Sequence, residues 1–497
     1  MARTTPLTPS NLPPECVEDI MRHLDLASLK ALRLSSRKLC ARCTGPRFKT
    51  FISHQKIELS KSGLQSFRQL AVHPELGPAA KNLVIMATIY DQTRQRKVIN
   101  RWGHNLPDGN PTPSGRSHEV LAEADSNLAW LNAQQQRQDE LSYDDIVKSL
   151  AISLKHIGQL DRIDLDAVLV QGRDETRTTD NSRAKWYPVW MRAARVYCIT
   201  IEAIAQSGVA PKALTVYQKT PRCSVPLYDI ATNRAMRDLP GFKDAGKSIE
   251  DLALSISTKV PTGATERPPR IPVACHEVSS AVASIAGLGE DQVLKVEDFG
   301  GLARFLSFTP NLKALEIHLY NTLFNPVILY QGMFKSIATE TRLPLLRKCS
   351  LRGITANGDW LLQFLTNHPQ ITDLTLNQIS LTSGKTWQQI FEHLVSRKTP
   401  PLERLHLSTL KSSQQMINLH PTWEEHSKEL EENSLSQIFF VHTKEFRADE
   451  IQRGLEFRPM PVDLMQGSSG SYMWMHSLNK EYGPPWESDW VGGGNGD

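Results

Sequence analysis

One spacing of apolar positions recurs along the chain: an apolar or small residue, two others, an aliphatic, one other, an aliphatic. It occurs at Ala80/Leu83/Ile85, Leu160/Ile163/Leu165, Pro211/Leu214/Val216 and Ile249/Leu252/Leu254. Further copies stand at Leu312/Leu315/Ile317, Leu346/Cys349/Leu351, Ile371/Leu374/Leu376 and Leu402/Leu405/Leu407. The paired aliphatics at i and i+2 point to one side of an extended strand. Helical spacing of apolar positions precedes several copies, over 146–157, 189–205, 299–308, 360–367 and 387–396. Helix, short loop and strand in repetition predict an α/β chain built as an irregular solenoid, each unit burying its apolar side on its neighbours.

The pattern differs at the start of the chain. Residues 12–43 predict three short helices. Asn11 is placed to cap the first, and Pro13 and Pro14 suit a first turn whose amides lack partners anyway. Val17, Ile20, Met21 and Leu24 then fall on one face. Asp25 is placed to cap a second helix carrying Leu26, Leu29 and Leu32, and Ser35 a third carrying Leu39. A unit this small cannot bury all those leucines by itself, so it calls for a partner or for the rest of the chain.

Leu12-Pro13-Pro14-Glu15, Ile20, Leu24-Asp25, Leu29, Leu32-Arg33-Leu34 and Ser36-Arg37 together resemble the F-box. Cys16 and Ser35 depart from that pattern, standing where larger aliphatic residues are usual; each removes apolar area worth about 1–2 kcal/mol. The resemblance implies that the Leu-Pro pair and the apolar helix face insert into a Skp-type adaptor, which bridges to a cullin ligase. It assigns adaptor contacts to Leu12, Pro13, Ile20, Leu24, Leu29 and Leu32. The later units resemble the divergent leucine-rich-repeat-like array that follows the F-box in fungal F-box proteins. The last four strand pairs start at Leu315, Cys349, Leu374 and Leu405, at intervals of 34, 25 and 31 residues, which overlap the 20–29-residue leucine-rich repeat and extend past it.

The expected organisation is an F-box at 1–46, a first repeat and connection at 47–90, a polar insertion or flexible segment at 91–142, the solenoid at 143–420, and a C-terminal cap and flexible tail at 421–497. Within 91–142, residues 120–137 have the spacing of one amphipathic helix.

Composition narrows the function classes. The 57 basic and 53 acidic residues leave a net charge of +4 without a dense basic run, which argues against a nucleic-acid stripe. The longest apolar run, at 83–90, falls far short of the ~20 residues that span a bilayer. The first eleven residues lack the apolar core of a signal peptide. Seven cysteines, an odd number scattered along the chain, suit a reducing compartment, so cytoplasm or nucleus is expected.

Residues 241–248, GFKDAGKS, match the phosphate-binding pattern G-x-x-x-x-G-K-[ST] in full. There Lys247 would bind terminal phosphates and Ser248 a magnesium ion. That chemistry needs a buried strand before the loop and a helix after it. Here the preceding NRAMRDLP is polar and 249–257 predicts a strand, so a chance match is expected. Cys40-x-x-Cys43 lacks a second ligand pair at zinc spacing, and neither His118-Glu119 nor His276-Glu277 continues to a second histidine. The GSSG at 467–470 is not a nucleophile elbow. No catalytic, cofactor or metal site is expected.

If the strands line one side, the residues between and beside the paired aliphatics face outward. These include Glu316, His318, Lys348, Arg352, Asp373, Asn377, Arg404 and His406, a mixed-charge face suited to a protein. The expected function is that of a non-catalytic substrate receptor, presenting a target protein to an SCF-type ubiquitin ligase for ubiquitin-dependent degradation. The alternative is an interaction scaffold in which the N-terminal helices cap the solenoid.

Overall fold

The computed structural model describes residues 12–103, 115–173, 186–220, 223–237, 239–257, 296–320, 327–397, 400–412, 415–419 and 441–461. The chain is mixed α/β, with helices at its N-terminus.

Four short helices open it, the three expected within residues 12–43 and one beyond them: α1 (Pro14–Arg22), α2 (Leu26–Ser35), α3 (Arg37–Arg42) and α4 (Pro46–Ile52). Proline heads α1 and α4, where its missing N–H costs nothing. Asp25 caps α2 by accepting from the Ser28 amide at 2.8 Å. The cap of α3 is Ser36, which accepts from the Leu39 amide at 3.1 Å. Ser35, expected in that role, ends α2 and donates to the Leu32 carbonyl. The N-terminus of α4 is met from a distance: Glu18 Oε1 accepts from the Arg47 amide at 3.0 Å, placing a carboxylate at the positive end of the helix. Asn11 lies outside the described residues; the residue before α1 is Pro13.

Beyond the helices, ten strands follow one another across a sheet in chain order. They are β1 (His54–Glu58), β2 (Asn82–Tyr90), β3 (Arg162–Val170), β4 (Ala213–Val216), β6 (Asp251–Ser257), β7 (Ala314–Tyr320), β8 (Lys348–Arg352), β10 (Asp373–Asn377), β12 (Arg404–Ser408) and β15 (Thr443–Arg447). A short β5 (Val225–Pro226) pairs with β6. Every neighbouring pair along this path is parallel except the last, where β15 runs antiparallel to β12.

The register explains the recurring spacing. Leu83, Ile163, Leu214, Leu252, Leu315, Cys349, Leu374 and Leu405 stand opposite one another in a single row. Ile85, Leu165, Val216, Leu254, Ile317, Leu351, Leu376 and Leu407 form the next. Both rows are buried in one continuous core. A slip of one residue would turn a row to the other face, so burial of the rows fixes the pairing. β1 joins the same sheet although its sequence breaks the pattern: Gln55 stands opposite Leu83 and Ile57 opposite Ile85.

Four strands end on a residue in the left-handed region at the same place, just past the last strand residue. These are Tyr217, Gly353, Gln378 and Thr409, with φ of 55°, 70°, 54° and 53°. The amides there still bond across the sheet, Gly353 to Asn377 and Gln378 to Ser408 onward, and Tyr217 to Leu165 backward. Short strands follow three of these turns: β9 (Thr355–Ala356), β11 (Ser380–Leu381) and β13 (Lys411–Ser412). They pair in parallel as a second sheet, which β14 (Gln415–Asn418) and β16 (Arg458–Pro461) extend antiparallel.

The helices between strands carry their own end signals. After α5 (Lys61–Val72), α6 (Thr93–Gly103) and α7 (Gly115–Gln138) lie in the segment 91–142. There α7 docks on β2, with Trp130 edge-on to Tyr90 and Gln138 Nε2 donating to the Thr88 carbonyl at 3.1 Å. α8 (Tyr143–Ile157) is capped by Ser142, carries aspartates in its first turn and Lys155 and His156 in its last, and ends at Gly158 with φ 79°. α9 (Trp186–Ser207) follows β3.

Candidate docking surfaces

The N-terminal helices build a small core from Val17, Met21, Leu29, Cys43 and Phe48, joined by Leu76 from beyond β1. Arg33 covers it, its guanidinium 3.8 Å from the Phe48 ring centre. Arg42 Nη1 donates to the Leu12 carbonyl and so ties the Leu12-Pro13 pair to α3.

Not every leucine is used inside. Leu12, Leu24 and Leu32 are half-buried at the edge of this core, Pro13 is exposed, Ile20 is 46% exposed and Leu34 is 87% exposed. Exposed large aliphatic side chains on a unit this small offer apolar area of the kind that marks a protein contact. Residues 9–51 match the F-box domain. The match extends past Pro46 into α4. No curated protein matches the chain. The F-box implies docking to a Skp-type adaptor, and hence the general role of substrate receptor in an SCF-type ubiquitin ligase.

Of the six residues singled out for adaptor contact, Leu29 is fully buried in the core of the F-box itself, so its side chain has no surface to offer. The most exposed aliphatic residue of the F-box, Leu34, was quoted in the motif and not singled out. Its signal is its position next to Ser35 at the polar end of α2.

The second surface lies on the sheet. Ala314, Lys348, Asp373 and Arg404 form one cross-strand row. Glu316, Ser350, Thr375 and His406 form the next, and His318, Arg352, Asn377 and Ser408 the third. β15 adds Arg447, Glu445 and Thr443 to these rows. Lys348, Arg404, Thr443, Glu445 and Arg447 are exposed, Asn377 and Ser408 buried, and the others half-buried. The charges are tied across strands: Arg404 reaches Asp373 at 3.9 Å and Glu445 at 3.4 Å, and Arg352 reaches Glu316 at 3.3 Å. Burial raises the Glu316 carboxyl above its ordinary value, with Arg352 opposing it. Burial and the Arg352 charge together push the His318 imidazole down to about 3, so it is neutral near pH 7. His318 lies stacked on Tyr320 with ring centres 4.1 Å apart.

The phosphate-loop match has no such setting. Residues 240–246 are a helix, running into β6. A Cβ on Gly241 would meet the Ala205 carbonyl and one on Gly246 the Phe308 carbonyl, so both glycines serve close packing. Lys247 pairs with Asp244 at 2.8 Å, and Ser248 Oγ donates to the Pro211 carbonyl at 2.9 Å. A helix followed by a strand reverses the order that phosphate binding needs. Cys43 is buried in the F-box core, where burial raises its thiol. His118 and Glu119 are exposed on α7. Among the described residues no group of three metal-binding side chains comes together, and no helix is long and apolar enough to cross a membrane. His276-Glu277 and the GSSG at 467–470 lie outside the described residues.

Proposed function

We propose that the chain is an SCF substrate receptor of the fungal F-box type, whose parallel units form a leucine-rich-repeat-like solenoid that presents a target protein. The observation that carries the receptor reading is the F-box match over residues 9–51, on which Pro13, Ile20 and Leu34 are exposed. The solenoid reading is supported by strands that neighbour one another in chain order and by the left-handed residue repeated after four of them. Adaptor contact is assigned to Leu12, Pro13, Ile20, Leu24, Leu32 and Leu34. Target contact is assigned to the polar rows from β7 to β12, where mixed charge suits a protein partner. The receptor performs no chemistry: holding a target beside the ligase's transfer machinery raises its effective concentration there. The six free cysteines among the described residues support a reducing compartment, cytoplasm or nucleus.

Co-purification with a Skp-type adaptor tests this, beside a variant with Leu12, Pro13 and Ile20 all replaced by Ala. A stoichiometric complex that the variant loses supports the receptor. A well-folded chain that forms no complex overturns it in favour of the scaffold reading. That second reading has its own observation: Leu76 and Leu70, from the first α/β unit, pack into the F-box core. A capping role predicts that removing residues 1–46 makes the remainder aggregate, whereas a receptor's later units stay folded.

A further inference from the structure

A cleft of about 680 Å³ opens at the C-terminal end of β2, between the end of α7, the start of α8 and one face of α9. In parallel α/β sheets, ligands bind outside the carboxyl ends of strands. Thr88, Ile89 and Tyr90 line this cleft from β2, and Arg192 and Arg195 line it from α9.

The two arginines stand three residues apart in an otherwise apolar stretch of α9, so they share a helix face. Nε and Nη2 of Arg192 and Nε of Arg195 are buried and have no hydrogen-bond partner among the described residues. Buried donors without partners cost free energy, and buried charges more. Two like charges one turn apart add repulsion. The effect is felt in the ionisation of Arg192, which burial and then Arg195 push down to about 10.

Three acids, Asp139, Glu202 and Asp229, line the same cleft, and Asp139 partly opposes the downward push on Arg192. Glu202 Oε1 accepts from the Tyr143 hydroxyl at 3.0 Å, and Arg234 approaches its other oxygen at 3.9 Å. Asp139 is exposed at the rim and accepts from Gln135 at 2.9 Å. The guanidinium fork matches an oxyanion, which accepts two parallel N–H bonds. Ile89, Tyr90 and Met191 supply apolar wall beside it.

We infer that this cleft binds a small molecule through an oxyanion group, phosphate or carboxylate, held by Arg192 and Arg195. The site is separate from the F-box and from the polar rows of β7–β12.

The test is thermal unfolding and calorimetric titration of the full chain with inorganic phosphate and, separately, acetate, against chloride at equal ionic strength. At least one oxyanion raises the unfolding temperature above the chloride control; which of them does so identifies the group. In Arg192→Met the affinity for that anion falls at least about tenfold, the loss of one charge-assisted pair. The ligand-free variant melts higher than the parent, because an unpartnered buried charge is gone. Arg195→Gln serves as the second variant if Arg192→Met fails to fold, with the same loss of affinity. No stabilisation beyond chloride by either anion, or a shift that survives in the variants, overturns the inference.

Discussion

Arg352 Nε lies 3.3 Å from Glu316 Oε1, reaching diagonally from β8 to β7 while also donating to Ser350 Oγ at 3.3 Å. One cation thus acts on two titrating groups with opposite consequences: it favours ionised Glu316 and disfavours protonated His318. Arg352→Gln therefore moves both titrations upward. Carbon-detected NMR of the two side chains reads this directly; positions unchanged from the parent would show that the cation does not govern them.

His318 makes the fold acid-sensitive. Its folded-state value of about 3 lies below the ordinary 6.5, so the unfolded chain takes up a proton first as pH falls. Its contribution is fully present above pH 6.5 and is lost progressively from there down to about 3. Between pH 7 and 5 this removes about 2 kcal/mol. His368 and His393, also depressed chiefly by burial, act in the same direction. Denaturant midpoints of the parent and of His318→Gln, measured at both pH values, should show a smaller fall in the variant. Equal falls would rule out His318 as a source.

In the F-box, surface and core leucines separate by experiment. Ile20→Ala with Leu34→Ala weakens adaptor binding by roughly 2–4 kcal/mol in all while leaving the fold intact. Leu29→Ala instead destabilises the module by about 2–5 kcal/mol, since it opens a cavity among Val17, Met21 and Phe48. Adaptor titration and hydrogen exchange over residues 12–52 distinguish the two; a normal affinity in the double variant would place the docking face elsewhere.

The repeated left-handed turn predicts opposite signs at equivalent positions. Gly353→Ala puts a Cβ against the Leu319 carbonyl oxygen in a conformation alanine avoids, and costs at least about 2 kcal/mol. Gln378→Gly relieves that same conformation and changes stability little, or raises it by up to about 1 kcal/mol. Urea unfolding of each variant gives the sign; loss of stability on Gln378→Gly would mean its side chain contributes more than its backbone loses.

Lys247→Ala is expected to remove only a surface pair with Asp244, with little effect on stability. The parent should show no thermal shift with magnesium nucleotide. A shift in the parent that Lys247→Ala abolishes would revive a nucleotide site.

The strand pairs from Leu83/Ile85 to Leu405/Leu407 were legible because alternation is a local property, and each strand had to bury the same two positions. The F-box was legible for a similar reason: its proline start, Asp25 cap and leucine spacing are set within a few residues. β1 was hidden because Gln55 occupies the place that Leu83 fills in β2. Which leucine of α2 turns inward is not a local matter. Leu26, Leu29, Leu32 and Leu34 offer apolar area on more than one side, and only Phe48 and Leu76, distant in sequence, select Leu29 for the core and leave Leu34 in solvent. Arg192 and Arg195 show the same division. Their spacing put them on one face of a helix, but that three of their nitrogens lie buried without hydrogen-bond partners among the described residues depends on tertiary packing, which brings that face against β2 and holds Glu202 to Tyr143 and Arg234. Periodicity settles which residues share a face; what that face meets depends on segments far along the chain.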